Sequence, residues 1–200
     1  MKRLLLVRHG ESEWNATRRL QGQADIGLSA KGEAQAIALG PTIAQLAPDA
    51  VVTSDLRRAR RTAELLGYPA AVSEPGLREV DVGEWTGREI ASIVSDQGDA
   101  YRGWRAGTYA PPGGEEWESF AERTAAAIRS ASETADRLLV ICHGGVIRAL
   151  LQTFLGLPPK RIIPVGPASL TILANKPNES DMRLEVFNYA PGGIVLDAPD

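Results

Sequence analysis

The chain has 200 residues, of which 44% are hydrophobic and 24% charged, as in an ordinary globular protein long enough to bury a core. It carries 22 Lys and Arg against 25 Asp and Glu, and the net charge of −3 argues against binding to nucleic acid or to a membrane surface. The single cysteine, Cys142, excludes an internal disulfide, and the two histidines, His9 and His143, exclude a multi-histidine zinc site.

Strand-like and helix-like segments alternate along the chain. Apolar runs typical of strands lie at 4–7, 50–52, 138–142, 170–174 and 184–187. Segments typical of helices lie at 29–46, with a kink or break predicted at Gly40-Pro41, and at 56–66, 117–135 and 146–155. This alternation predicts one α/β domain over residues 1–200, with a mostly parallel central sheet between two layers of helices.

Two irregular segments, at about 74–87 and 103–116, are predicted to be active-site loops that set specificity, although simple surface connections have the same composition. The second contains Trp104 and Tyr109, which either line the leaving-group side of a site or pack in the core. The tail 191–200 is predicted to be loosely held. No apolar run reaches the ~18 residues of a membrane span, and no signal peptide is recognisable, so a cytoplasmic location is expected.

Both histidines stand in the same local context. His9 and His143 each follow an apolar strand and precede glycine, in Val7-Arg8-His9-Gly10 and Cys142-His143-Gly144-Gly145. In open α/β sheets, ligands bind beyond the carboxyl ends of the strands. A single histidine in such a place is more often a packed residue, but the repetition favours a shared site.

Arginines accompany these histidines. Arg8 is adjacent to His9, and a buried arginine at a strand end is costly unless it meets an anion. At the start of the second long helix, Arg57 and Arg61 share one face, whereas Arg58 leaves in another direction. Gly144 opens a further helix, whose free N–H groups favour a phosphate. Together these residues predict a phosphoryl-binding pocket.

Several motifs then follow one another in a fixed order along the chain. They are Arg8-His9-Gly10-Glu11-Ser12, Gln21-Gly22-Gln23-Ala24-Asp25 with Leu28-Ser29, Ser54-Asp55-Leu56-Arg57-Arg58-Ala59, Leu77 to Gly87, Gly113-Gly114-Glu115-Glu116 and Cys142-His143-Gly144-Gly145-Val146. In this order they resemble the motifs of the histidine phosphatase, or phosphoglycerate mutase-like, superfamily. Glu116 departs from the pattern, because the family has serine there. The resemblance runs from about Leu4 to Leu155 and implies the family's three-layer α/β/α fold.

The resemblance also implies residue roles. His9 is expected to be the nucleophile that forms a phosphohistidine, with Arg8, Arg58 and His143 binding the phosphoryl group. Glu79 is expected to protonate the leaving oxygen and then to activate water. Residues expected to contact phosphate or substrate are Asn15, Gln21, Gly22 and Gly144. Spacing alone does not distinguish Glu79 from three other acidic residues of the segment, which are Asp81, Glu84 and Glu89.

Within the family, a short 87–113 segment with few basic residues favours a phosphatase of small phosphate monoesters over a 2,3-bisphosphoglycerate-dependent phosphoglycerate mutase. The segments 21–23, 109–115 and 183–188 resemble a bacterial subgroup that includes glucosyl-3-phosphoglycerate phosphatase, so sugar phosphates and phosphoglycerate derivatives are the expected substrates. No cofactor and no metal is expected. A small phosphorylated metabolite is the expected partner, pairing into a homodimer stays open, and a non-catalytic phospholigand-binding protein is a third interpretation.

Overall fold

The computed structural model describes residues 2–176, 179 and 181–193, which form six strands and six helices. The strands are β1 (Arg3–Arg8), β2 (Ala50–Thr53), β3 (Val72–Ser73), β4 (Arg137–Cys142), β5 (Leu170–Ala174) and β6 (Arg183–Tyr189). The helices are α1 (Glu13–Ala16), α2 (Ala30–Leu46), α3 (Arg57–Leu65), α4 (Ile90–Ala106), α5 (Trp117–Ala131) and α6 (Gly144–Leu155). Most of the predicted loose tail, 194–200, lies outside the described residues.

The six strands form one sheet in the order β3-β2-β4-β1-β5-β6. β3, β2, β4 and β1 pair in parallel, as the sequence predicts, whereas β5 and β6 run antiparallel at the other edge. β1 and β4 are direct neighbours in register, with Val7 opposite Ile141 and Arg8 opposite Cys142. A histidine directly follows the last residue of each of these two strands, so their pairing brings His9 and His143 to the same edge of the sheet.

Helices cover both faces of the sheet, which confirms the predicted α/β class. Along β1 the side chains alternate: Leu4 and Leu6 belong to one core cluster, and Leu5 and Val7 to the other. The first cluster contains buried residues of α5 and α6, and the second contains those of α2 and α3. A strand buried on both faces has no polar alternation, which explains the continuous apolar runs of β1 and β4.

Two predicted helix boundaries are wrong, and the helix break predicted at Gly40-Pro41 does not occur. The helix predicted over 117–135 ends at Ala131, where the Ser132 carbonyl accepts a hydrogen bond of 2.6 Å from the Lys2 ammonium group. The last helix begins at Gly144 rather than 146, because His143 is its extended N-cap residue. Pro41 does not split α2, which runs without interruption from Ala30 to Leu46, and it lies on the exposed side of that helix.

The loop predicted over 103–116 is also partly wrong, because residues 103–106 belong to α4. Only Ile93 and Trp104 are fully buried in that helix, and Gln97 interrupts it with non-helical backbone, so its apolar periodicity is weak. The segment 74–87 is irregular as predicted and contains two short 3-10 turns, at Pro75–Leu77 and Gly83–Trp85. In the described part of the chain, no helix combines the length and the apolarity that crossing a membrane requires.

Candidate active site

His9 and His143 meet at the carboxyl edge of the sheet. The backbone N–H of His9 donates to the Cys142 carbonyl oxygen at 2.9 Å, and the two imidazole rings are 5.1 Å apart, inclined at 63°. The exposed fractions of His9 and His143 are 2% and 0%. The pairing predicted from their sequence contexts is therefore a direct contact.

One hydrogen bond fixes the tautomer of His9. Its Nδ1 atom lies 2.7 Å from the Gly10 carbonyl oxygen. A carbonyl oxygen can only accept, so Nδ1 carries the proton of the neutral ring and Nε2 keeps its lone pair. Gly10 is itself fixed, because its N–H donates to the Thr62 hydroxyl at 3.1 Å and a Cβ atom there would lie 2.3 Å from the Gly32 carbonyl oxygen. The local backbone thus fixes the orientation of the His9 ring and leaves Nε2 without a proton.

Two buried guanidinium groups adjoin the histidines. The exposed fractions of Arg8 and Arg58 are 2% and 1%. Arg8 donates to the Val165 carbonyl oxygen at 2.6 Å. Arg58 donates to the carbonyl oxygens of Ala24 at 2.6 Å and Gly22 at 2.8 Å, so it braces the 22–24 loop. Burial lowers the pKa of Arg58 to about 10, which still leaves it charged at neutral pH.

Burial is also the main reason that the pKa values of both histidines lie well below the usual range. The charges of Arg58 and Arg8 lower the pKa of His9 further. Arg58, His9, Arg8 and Arg123 do the same for His143. Both rings are therefore neutral at pH 7.

This burial predicts a pH dependence of stability. Below pH ~6.5 the histidines of the unfolded chain bind protons while those of the folded chain stay neutral, so stability falls as pH falls. We expect urea unfolding to show a loss of stability whose slope approaches about 1.4 kcal/mol per pH unit per histidine as the pH falls from 6.5 to 5. The slope of His143→Gln is expected to be about half that of the wild type. A free energy of unfolding independent of pH in this window would contradict the low pKa values.

Both nitrogens of the buried His143 ring have no hydrogen-bond partner within the described residues, and neither has Nε of Arg58. Buried polar atoms normally have partners, because leaving them unpaired costs free energy. Their position beside His9 is where the sequence predicts a phosphoryl group, whose oxygens are suitable acceptors for an arginine N–H and for a histidine N–H.

Glu79 reaches the same place from the 74–87 segment, which follows β3. Its carboxylate oxygens accept hydrogen bonds from the backbone N–H groups of Val80 at 2.9 Å and Gly145 at 3.0 Å. The latter bond ties Glu79 to the first turn of α6. Among the four acidic candidates of this segment, the structure therefore separates Glu79 from the rest. Asp81 accepts from the Gly83 N–H at 2.9 Å, Glu84 is exposed, and Glu89 pairs with Arg19 at 2.7 Å.

Gly145 leaves room for this carboxylate. A Cβ atom at position 145 would lie 2.1 Å from Oε1 of Glu79, so Gly145→Ala must displace the end of that flexible side chain. We expect kcat to fall about 10- to 100-fold with little change in thermal stability. The matched control is Gly40→Ala in α2, where the nearest atom would be 3.9 Å away. Unchanged kcat in Gly145→Ala would show that the position of Glu79 is unimportant.

One cleft at this edge of the sheet is lined by most of the predicted site residues. Those that line it are Arg8, His9, Gln21, Gly22, Arg58, Glu79 and Gly144. His143 packs against His9 instead of lining the open part. Asn15 is not among the described lining residues; it is buried and forms a reciprocal cap with Ser12 at the start of α1. Its predicted contact with the substrate is therefore not visible in this arrangement.

The cleft wall also contains residues outside the predicted set of site residues, which are Leu20, Val80, Val82, Trp104, Arg105, Gly145, Arg148 and Pro164. Two of them carry a sequence signal: Trp104 is a candidate for the leaving-group side, and Gly145 belongs to the glycine pair that opens the last helix. Trp104 both lines the cleft and packs on Trp85, at a ring distance of 6.1 Å. Arg148 is buried in α6, with its guanidinium 4.8 Å from the Trp117 ring. Arg148 lies four residues after Gly144, and residues four apart share a helix face, so this spacing is the sequence signal that places Arg148 on the cleft side of α6.

The fold is of the α/β class, and two buried histidines, two guanidinium groups and one carboxylate meet at its strand ends, a set of groups suited to binding an anion. Residues 4–188 match the histidine phosphatase superfamily, branch 1. The chain belongs to that family, as its motifs predict, and is a phosphatase of the histidine phosphatase type.

The relatives and solved structures that this chain resembles are named for different activities. A probable phosphoglycerate mutase, GpmB, of Salmonella paratyphi C is 38% identical over 169 residues, 79% of this chain and 77% of that protein. A mycobacterial glucosyl-3-phosphoglycerate phosphatase, solved with VO3, is 35% identical with a TM-score of 0.85, over 94% of this chain and 99% of its own. The alpha-ribazole phosphatase of Shigella flexneri is 26% identical with a TM-score of 0.79, over 94% and 96%.

Proposed function

We propose that this protein hydrolyses small phosphate monoesters through a phosphohistidine formed on His9. The observation that carries the proposal is the hydrogen bond from Nδ1 of His9 to the Gly10 carbonyl oxygen, made by a buried ring whose pKa is lowered by burial and by the charges of Arg58 and Arg8. It leaves the Nε2 lone pair as the nucleophile. A neutral imidazole attacks phosphorus, whereas an imidazolium has no lone pair to offer.

The reaction then has two steps. Nε2 of His9 forms a bond to phosphorus while the bond from phosphorus to the ester oxygen breaks, and Glu79 gives its proton to the departing alcohol. Glu79, now a carboxylate, takes a proton from water, whose oxygen attacks the phosphohistidine and releases inorganic phosphate and free His9. Arg8, Arg58 and the N–H of His143 stabilise the negative charge on the phosphoryl oxygens.

The substrate class that we favour is a sugar phosphate or phosphoglycerate derivative. Arg105 and Arg148 line the cleft in addition to the two arginines beside His9. Further positive charge along the wall favours a substrate with a second anionic group, such as the carboxylate of a phosphoglycerate derivative. The activity named for the mycobacterial relative, on glucosyl-3-phosphoglycerate, agrees with this class.

Hydrolysis of p-nitrophenyl phosphate at mildly acidic pH in the presence of EDTA tests the proposal. We expect activity without added metal, and a screen of phosphorylated metabolites ranked by kcat/KM then identifies the substrate class. Activity that is abolished by EDTA and restored by a divalent ion would contradict the metal-independent mechanism. The cytoplasmic location and the homodimer stay predictions.

The second candidate is a phosphoglycerate mutase, which the name of the Salmonella relative favours. Both activities share the phosphohistidine and differ in whether water or a second hydroxyl group accepts the phosphoryl group. Conversion of 3-phosphoglycerate to 2-phosphoglycerate, stimulated by 2,3-bisphosphoglycerate, is the diagnostic assay. If that conversion is not seen, the mutase is excluded. If labelled phosphate never appears on the protein from any substrate, the non-catalytic phospholigand-binding protein regains support.

A further inference from the structure

The segment that carries Glu79 is held by an arginine on the neighbouring helix. Nη1 of Arg123, in α5, donates to the carbonyl oxygens of Gly76 at 2.8 Å and Arg78 at 3.1 Å. The Arg78 carbonyl belongs to the peptide group whose nitrogen is that of Glu79. A single guanidinium group therefore holds the backbone immediately before the proposed proton donor.

Arg123 is itself fixed by Glu115. Its Nε and Nη2 atoms donate to the two carboxylate oxygens of Glu115 at 2.9 and 2.7 Å, with both side chains largely buried. Such bidentate pairs fix orientation as well as distance. The backbone N–H of Glu115 also donates to the Asp81 carbonyl oxygen at 2.9 Å. The two residues thus hold the segment on both sides of Glu79, Arg123 through its side chain before it and Glu115 through its backbone N–H after it.

We propose that the Glu115–Arg123 ion pair positions the Glu79 carboxyl group for proton transfer to the leaving oxygen. The proposal rests on the role given to Glu79 above. The segment around Glu79 is irregular, so no continuous helix or sheet ladder fixes it. Neither Glu115 nor Arg123 is among the described residues that line the cleft. The ion pair therefore does not contact the substrate from the cleft wall, and we place its effect on proton transfer in the backbone around Glu79.

The dependence of rate on the leaving group tests this role. Phenyl phosphate has a poor leaving group that needs a proton, whereas 2,4-dinitrophenyl phosphate has a good one that does not. We measure kcat/KM, which reports transfer from the substrate to His9, for both compounds with the wild type and Glu115→Gln. We expect a loss of about 10-fold or more for phenyl phosphate and less than about 3-fold for 2,4-dinitrophenyl phosphate.

The matched control is Glu185→Gln, which removes a similar bidentate pair with Arg3 at the far edge of the sheet. It is expected to leave both rates unchanged. Arg123→Lys, which keeps the charge but not the fork geometry, serves if Glu115→Gln does not fold, and it is expected to show a weaker form of the same selectivity.

An equal loss for both substrates in Glu115→Gln or Arg123→Lys would mean a general structural effect and would overturn the inference. Glu79→Gln distinguishes the proton-donor role of Glu79 from the positioning role of the Glu115–Arg123 ion pair. If Glu79→Gln loses activity selectively with phenyl phosphate but Glu115→Gln and Arg123→Lys do not, the inference is wrong and the role of Glu79 stands. If Glu79→Gln itself shows no selectivity, the proton-donor role fails and the inference with it.

Discussion

His9→Asn is expected to lower kcat with p-nitrophenyl phosphate by roughly 10⁴- to 10⁶-fold, the size of effect found when a covalent nucleophile is removed. Asparagine is the most informative replacement, because its side-chain amide N–H can keep the hydrogen bond that Nδ1 makes to the Gly10 carbonyl oxygen at 2.7 Å. What it removes is Nε2 and its lone pair. Steady-state hydrolysis measures the loss of turnover. Acid-labile labelling of the quenched enzyme with radioactive phosphate measures the loss of the phosphohistidine.

A second variant distinguishes the nucleophile from the other buried histidine. His143→Asn is expected to slow turnover yet still to incorporate label, because His143 binds the phosphoryl group and does not accept it. The thermal unfolding of both variants shows whether they fold. Substantial activity in folded His9→Asn, or label that persists on it, would place the phosphoryl group on another residue.

Arg58→Gln is expected to lower kcat/KM about 10³-fold and to move the acid limb of the pH–rate profile upward. The first effect follows because a fully buried positive charge beside His9 is lost, and such charges stabilise the phosphoryl group in the transition state. The second follows from the sign of the interaction. Arg58 lowers the pKa of His9, so removing it raises that pKa, and His9 becomes protonated and inactive at a higher pH.

Arg57→Gln is the matched control, since the same change one residue earlier affects an exposed arginine. Its kcat/KM and acid limb are expected to stay at the wild-type values. Arg58→Lys tests separately how much the hydrogen bonds from Arg58 to the 22–24 loop contribute. Lysine keeps the charge but has no planar fork to reach the Gly22 and Ala24 carbonyl oxygens together. An Arg58→Gln enzyme with an unshifted acid limb would show that this guanidinium does not keep His9 neutral.

The local sequence pattern correctly predicts the two strands that precede the histidines. The apolar runs of β1 and β4 predict strands buried on both faces, and each ends where the histidine begins. The sequence does not predict α4, because few of its residues are buried and its apolar periodicity is therefore weak. Residues 103–106 are helical, although the sequence predicts a loop there.

The sequence by itself determined the α/β class and the residue types at the strand ends, because continuous apolar runs and the residues that follow them are local features. It also determined the family, through the resemblance of its ordered motifs. Spacing alone left four acidic candidates and the family resemblance selected Glu79, whose place on the cleft wall the tertiary structure then showed. Only the tertiary structure decided that Asn15 forms a reciprocal cap with Ser12 and that Arg148 lines the cleft. It also joined Arg123 to the backbone before Glu79, 45 residues away in the chain. Contacts over such separations depend on how whole helices pack against the sheet, and no local pattern encodes that packing.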